Sequence, residues 1–216
     1  MTNGLTKGFS RLAAVALAIL SSGSVAGAQP AVAAKTLRAR RIATPIKVDG
    51  VLDEVAWQGA ETASDFVQQD PRVGEPVSED TEVRVLVDRE AIYFGIVCRD
   101  SDPRGVIARE LRRDNPFAGD DHFEILLDTF HDHRNAYHFA VNPLGTQYDA
   151  LITDEGHDVN AEWNERWWSE TRITAGGWTA EVKIPLTTLR SAPDLDTFGV
   201  NFKRYIRHCG YRVPTS

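Results

Sequence analysis

The sequence predicts an all-β fold, built as an antiparallel β-sandwich or jelly roll. Eight short segments alternate apolar and polar residues or are rich in β-branched and aromatic residues, which is typical of strands. Turn-forming residues separate these segments, as in "NPLG" and "AGG", and no long segment has a helical period. Many short strands without crossover helices favour two packed antiparallel sheets.

The eight segments each have the length of an ordinary strand. They are 81–87, 91–98, 121–128, 135–142, 146–152, 170–175, 178–184 and 198–206. Two short helical segments are also expected, "LDEVAWQGA" at 52–60 and "LTTLR" at 186–190. Neither is long enough to form a helical layer, so the predicted class remains all-β.

The N-terminus has the pattern of a secretory signal peptide. Lys7 and Arg11 precede an apolar run at 12–20, and the small residues Ala26 and Ala28 provide a cleavage site. The run is too short to cross a bilayer. We therefore expect cleavage after Ala28 and export to the periplasm, the cell surface or the medium; the alternative is an uncleaved N-terminal anchor.

The remaining chain is expected to hold one domain. We assign residues 1–28 to the signal peptide, 29–41 to a linker, 42–207 to the β-sandwich and 208–216 to a tail. The "RARR" patch at 38–41 is expected to be solvated within the linker.

Composition argues against a nucleic-acid partner. The net charge at pH 7 is −7, and it becomes −9 without residues 1–28, which carry two basic and no acidic residues. Phosphate binding requires a concentrated basic surface. The two cysteines, Cys98 and Cys209, are too few for a disulfide framework, and Cys98 lies in an apolar strand as a small core residue.

The strands at 121–128 and 135–142 are expected to pair with one apolar and one polar face. A symmetric hairpin places His122 opposite Asn142 and Leu126 opposite His138. The expected polar face, continued through the next turn, carries His122, Glu124, His138, Asn142, Gln147 and Asp149. Carboxylates, amides and nearby aromatic rings suit sugars, whose hydroxyls need donors and acceptors. The alternative is a face that is simply solvated.

Three tryptophans lie close together in "WNERWW". Trp163 and Trp167 are four residues apart and share a face in a helix or a strand, whereas Trp168 points elsewhere. We expect Trp163 and Trp167 to be exposed and Trp168 to be buried. The alternative is that all three cap the core under a loop.

Four motifs resemble family 9 carbohydrate-binding modules. They are "PIKVDGVLDEVAWQGA", "DREAIYFGIVCRD", "DDHFEILLD" and "GGWTAEVKIPLTTL", in that order along the chain. Further motifs, such as "RRDNPFAGDD", resemble the N-terminal module of large exported bacterial proteins labelled membrane-associated hydrolases. Those chains continue into a membrane-associated second region, so we expect this chain to be truncated after the module.

The resemblance implies a β-sandwich that clamps the end of a poly- or oligosaccharide between two Trp rings, with structural calcium nearby. Trp163 or Trp167 matches the aromatic wall, and Trp57 and Trp178 match structural anchors. The polar residues that match positions near the binding face are Arg113, Asp121, Glu124 and Asn142. Calcium ligands would come from two oxygen-rich loops, one with Asp154, Glu155, Asp158 and Asn160 and the other with Asp114, Asp120 and Asp121.

Two other functions stay open at this stage. The module could be a periplasmic docking or assembly domain that does not bind sugar. It could also be a hydrolase of O-glycosyl compounds, with His122, His138 and Asp149 as a zinc set. No catalytic residue is assigned, because no motif of a known hydrolase occurs.

Overall fold

The computed structural model describes residues 35–191 and 197–207, which form two β-sheets packed face to face. The predicted signal peptide and the tail at 208–216, including Cys209, lie outside the described residues. Within the described ranges no helix is long and apolar enough to cross a membrane.

The described chain forms eleven strands and one short α-helix. In chain order they are β1 (Arg40–Arg41), α1 (Val55–Gln58), β2 (Thr62–Ala63), β3 (Thr81–Val87), β4 (Ala91–Arg99), β5 (His122–Asp128), β6 (Ala136–Val141), β7 (Gln147–Thr153), β8 (Asp158–Asn160), β9 (Trp168–Thr174), β10 (Gly177–Pro185) and β11 (Gly199–Tyr205). Sheet one has the order β1-β3-β4-β10-β9, with β2 also paired to β3. Sheet two has the order β11-β5-β6-β7-β8. Every pairing is antiparallel except that of β1 with β3.

All eight predicted strands are present, and the all-β sandwich is confirmed. The helix expected near Leu52 exists as α1, but the one expected at 186–190 is wrong. There the chain makes two successive turns, in which Thr188 N–H donates to Pro185 and Leu189 N–H donates to Leu186. The segment that we expected to be a linker contributes β1, whose arginines are exposed.

The core lies between the inner faces of the two sheets. Alternating residues of β5 and β6, such as Phe123 and Phe139, meet those of β4 and β10, such as Phe94 and Val182, and all four are at most 1% exposed. Burial in this core raises the pKa of the Cys98 thiol to about 12, so Cys98 is an inert core residue as predicted.

The two predicted anchor tryptophans are both buried. Trp178 belongs to the main core, whereas Trp57 packs on the outer face of sheet one. Gly95 makes room for Trp57, because a Cβ at Gly95 would lie 2.9 Å from the indole ring. The indole N–H of Trp57 donates to Glu181 at 2.9 Å.

The hairpin of β5 and β6 has the predicted register, with Leu126 opposite His138. The next hairpin does not continue the face as predicted, because Asp149 lies opposite Phe139 and is fully buried. The turn between Asn142 and Thr146 contains Gly145 at φ +80°. Relative to the predicted pairing, this turn moves β7 by one residue, so that its two faces are exchanged. Tyr148 therefore occupies the polar face in place of Gln147 and Asp149.

Candidate functional site

The outer side of sheet two carries a cluster that we call the polar face, made of His122, Glu124, His138, Tyr148 and Tyr205. Its geometry follows from the strand register. Tyr205 of β11 lies opposite His122 of β5, and Ala140 of β6 lies opposite both Glu124 and Tyr148. Side chains two residues apart on a strand, or opposite one another across strands, share one side of a sheet. Five side chains from four strands therefore meet on one surface.

Glu124 lies at the centre of the polar face, with a side chain that is 13% exposed. Its Oε1 is 3.3 Å from Nε2 of His122, and its Oε2 is 3.5 Å from Nε2 of His138. Burial acts to raise the pKa of Glu124, but the two imidazoles outweigh it and lower the pKa to about 2. Glu124 is therefore a charged hydrogen-bond acceptor at neutral pH.

His122 is held in a stack of three rings. Tyr205 lies parallel to it, with ring centroids 4.3 Å apart and an interplanar angle of 10°, and Phe117 packs nearby at 5.4 Å. Nδ1 of His122 is 2.9 Å from the Asp120 carbonyl, which can only accept, so Nδ1 carries a proton. Tyr205 remains 36% exposed, and the Arg207 guanidinium lies over its ring at 5.5 Å from the centroid.

His138 and Tyr148 border the other side of Glu124. Their rings meet edge to face, with centroids 5.4 Å apart. Nε2 of His138 is buried and has no hydrogen-bond partner among the described residues, because its contact with Glu124 is too long for one. Burial and the nearby charge of Glu124 raise the pKa of Tyr148, so its hydroxyl stays protonated.

A loop at 106–120 borders the polar face at the N-terminal end of β7. Asp114 donates its backbone N–H to Gln147 and has φ +64°, an unusual conformation for a residue with a side chain. Its Oδ2 accepts a hydrogen bond from Asn164, whereas its buried Oδ1 has no partner in the described chain. Burial raises the pKa of Asp114. The same loop lines a cavity of about 280 Å³ between Arg109 and Asp120.

The predicted exposure is wrong for Trp167 and Trp168, whereas Trp163 is half-buried. Trp163 and Trp167 do share a side, since both pack against Phe139, but it is the core side. Trp167 is 3% exposed and donates its indole N–H to Asp149 at 3.0 Å. Trp168 is 45% exposed. The cause is that β9 starts at Trp168 with its side chain on the outer face, so the preceding residue points inward.

Three predicted ligand-binding residues have their polar atoms engaged by the protein. The Arg113 guanidinium donates to Gln147, to Asp149 and to the loop at 164–165. The Asp121 carboxylate accepts backbone N–H groups from Ile107 and Arg207.

Asn142 is fully buried and bonds to Glu110, Asp120, Leu144 and Thr146. Of the six predicted site residues, only Glu124 lies on the polar face.

The predicted zinc set is not brought together. His122 and His138 lie on the polar face, whereas Asp149 lies on the core side of the same sheet. Among the residues that the structure describes, no group of three or more His, Cys, Asp or Glu is arranged to hold a metal ion.

The two loops expected to bind calcium have part of their carboxylate oxygens engaged by the protein. Oδ2 of Asp120 accepts the backbone N–H groups of Arg109 and Glu110. In the other loop, Asp154 and Glu155 lie 3.9 and 3.6 Å from Arg134, which balances their charge.

Tyr148 and Tyr205 are the site residues that the sequence interpretation missed. Alternation within 146–152 places Tyr148 and Asp149 on opposite faces, but it cannot say which of them faces outward. The burial of Asp149 in the sandwich decides this.

Comparisons with known proteins agree with this fold. The family model "Carbohydrate family 9 binding domain-like" matches residues 48–207. A family 9 carbohydrate binding module from Caldicellulosiruptor kristjanssonii in complex with cellotriose is 16% identical, with a TM-score of 0.55 over 76% of this chain and 74% of that one. Its complex with glucose gives 18% identity and a TM-score of 0.53, over 76% of this chain and 78% of that one.

A Bacteroides uniformis protein described as carbohydrate-binding is 14% identical, with a TM-score of 0.60 over 79% of this chain and 83% of that one. No curated protein sequence matches the chain. At these sequence identities the solved structures show only that the fold is shared. The match to the family model shows which family the chain belongs to. The chain belongs to the family of carbohydrate family 9 binding domain-like proteins.

Proposed function

We propose that this protein binds carbohydrate on the polar face of sheet two. The observation that carries the proposal is the half-buried, charged Glu124 on an outer sheet face between two tyrosine rings. An acceptor carboxylate beside aromatic rings matches a ligand with many hydroxyls and apolar C–H faces. The family and the sugar complexes of the two Caldicellulosiruptor structures support the same ligand class.

In this proposal the rings hold the sugar and the polar groups orient it. Tyr205 and Tyr148 stand three strand positions apart, roughly 14 Å at about 4.8 Å per strand. Glu124 accepts hydrogen bonds from hydroxyls of a sugar that lies between them.

Two small, buried side chains lie among the polar groups. Ala140 lies between Glu124 and Tyr148 in the register, and Ala150 lies beside His138. We infer that these alanines form the floor of the site.

The test is calorimetric titration of the purified protein with cellotriose, glucose and a panel of other soluble oligosaccharides. We expect Glu124→Gln to weaken binding about tenfold, because it removes a charge-assisted acceptor. Tyr148→Ala should weaken it up to about tenfold through lost stacking.

Glu162→Gln is the matched control, since Glu162 is an exposed carboxylate on a different segment. Its affinity should equal that of the wild type. Absence of binding across the whole panel, or unchanged affinity in both site variants, would refute the proposal.

A further inference from the structure

A second groove lies on the outer side of sheet one. We call it the Trp168 groove, and its volume is about 300 Å³. It runs between the edge strand β9 and the segment at 46–48, and its lining residues are Ile46, Val48, Gln147, Trp168, Ser169, Glu170 and Lys183. The polar face belongs to the other sheet, so the two surfaces lie on opposite outer sides of the sandwich.

Trp168 is held in place by a neighbouring cation. Lys183 lies between Trp168 and Tyr93 in the strand register, and its ammonium is 5.4 Å and 5.6 Å from the two ring centroids. No carboxylate in the described ranges forms an ion pair with Lys183. The rings of Tyr93 and Trp168 therefore stabilise the charge of Lys183, and the contact with Lys183 orients the Trp168 indole.

Exposure distinguishes Trp168 from three of the other four tryptophans, and the remaining one, Trp163, is half-buried. Trp168 is 45% exposed, whereas Trp57, Trp167 and Trp178 are at most 3% exposed. An exposed indole in a formed groove is a surface on which an apolar ring face can stack.

The polar groups around the indole supply both donors and acceptors. The Lys183 ammonium can only donate, and the Glu170 carboxylate can only accept when ionised. The Gln147 amide is bonded to Arg113, Ser169 and Trp167, while Ile46 and Val48 form an apolar wall. The volume is at the lower end of the range for small-molecule sites, which suits one or two sugar rings.

We propose that the Trp168 groove is a second carbohydrate-binding site, separate from the polar face. A sugar ring stacks on the exposed part of Trp168, and its hydroxyls bond to Lys183 and Glu170. Two sites on opposite sides of one domain cannot bind the same short oligosaccharide. The protein would therefore hold two separate saccharide chains and bridge them.

The test uses the indole N–H signals of the ¹⁵N-labelled full chain. The Trp168 signal is identified by its loss in Trp168→Phe. The protein is titrated with cellotriose, glucose and a panel that includes neutral and uronic oligosaccharides. We expect at least one saccharide to shift the Trp168 signal in the wild type and equally in a Glu124→Gln, Tyr148→Ala double variant. Lys183→Met should weaken that response at least tenfold.

The outcomes distinguish this site from the first. A Trp168 shift that persists while the polar face binds nothing supports the second site and contradicts only the function proposed above. Binding at the polar face with an unmoved Trp168 signal overturns the second site. A shift that disappears in the double variant also overturns it, because the effect then originates at the polar face. Unchanged signals of the buried Trp57, Trp167 and Trp178 verify the fold of each variant.

Discussion

Two glutamates, the half-buried Glu124 in sheet two and the buried Glu181 in sheet one, have pKa values shifted in opposite directions. Burial acts on both, but Glu124 lies beside two imidazoles, and these lower its pKa to about 2. Glu181 accepts N–H groups of Trp57, Asp49 and Gly50, which are neutral donors. For Glu181 the effect of burial is larger, and its pKa is raised. The two neighbouring imidazoles are therefore what distinguishes the carboxylate of the candidate site.

The shifted pKa of Glu124 predicts a specific loss of stability in acid. Its pKa in the folded state is about 2, below the ordinary value of 4.5. The charged form therefore stabilises the fold above about pH 4.5, and this contribution is lost as the pH falls from there towards 2. We expect the loss to be ~2 kcal/mol after allowance for solvent screening.

Urea unfolding at a series of pH values measures this effect. In Glu124→Gln the free energy of unfolding should fall less steeply between pH 4.5 and 2 than in the wild type. Glu162→Gln should leave this pH dependence unchanged. The same fall of unfolding free energy with pH in the wild type and in Glu124→Gln would contradict the stabilising role of the charged Glu124.

At the scale of elements, the turn between β9 and β10 depends on one glycine. Gly177 has φ +127°, and a Cβ there would lie 2.0 Å from the Cys98 carbonyl oxygen. The adjacent Gly176 has no heavy atom within 4 Å of its Cβ position. Of the two glycines in the "AGG" turn, only Gly176 therefore has room for a side chain.

We expect Gly177→Ala to lower the free energy of unfolding by about 2–4 kcal/mol, because alanine strains the backbone and clashes with β4. Gly176→Ala should change it by less than about 0.5 kcal/mol, since its side chain enters open space. Chemical denaturation of the two variants checks this pair, and equal stabilities would show that the turn adapts to a side chain.

Strand positions could be predicted from the sequence, whereas the outward face of β7 could not. Alternation and turn residues located all eight long strands, because each signal is contained within a few residues. The three short strands β1, β2 and β8 have two or three residues, too few to show alternation. The face of Asp149 depended on the length of one turn, and a shift of one residue exchanges both faces of a strand.

At the scale of the whole molecule, Glu181 connects the N-terminal segment to sheet one. Its carboxylate accepts the N–H groups of Asp49 and Gly50 at 2.8 and 3.0 Å, and that of the Trp57 indole at 2.9 Å. Glu181→Ala leaves these donors without a partner, and we expect a loss of about 2–4 kcal/mol of unfolding free energy.

Urea denaturation followed by Trp fluorescence measures that loss. Glu170→Ala is the matched control, because Glu170 lies opposite Glu181 in the register but is exposed. A similar loss in both variants would contradict the connecting role of Glu181.

The proposed export of the protein is tested on the intact chain. If residues 1–28 are a signal peptide, the exported protein begins at Gln29, because cleavage follows the small residue Ala28. Mass spectrometry of the protein recovered from a periplasmic or culture fraction measures this terminus. A protein that retains Met1 in that fraction would indicate an uncleaved anchor instead.

The sequence by itself determined the sandwich class, the strand positions and the family resemblance, and it predicted Glu124 for the site that we propose. These depend on local alternation and on the order of motifs along the chain. Only the tertiary structure decided which tryptophans are buried, and it showed that Arg113, Asp121 and Asn142 bond to the protein itself. The physical reason is that a side chain's role depends on which sheet and loop pack against it, and residues far apart in sequence supply those partners.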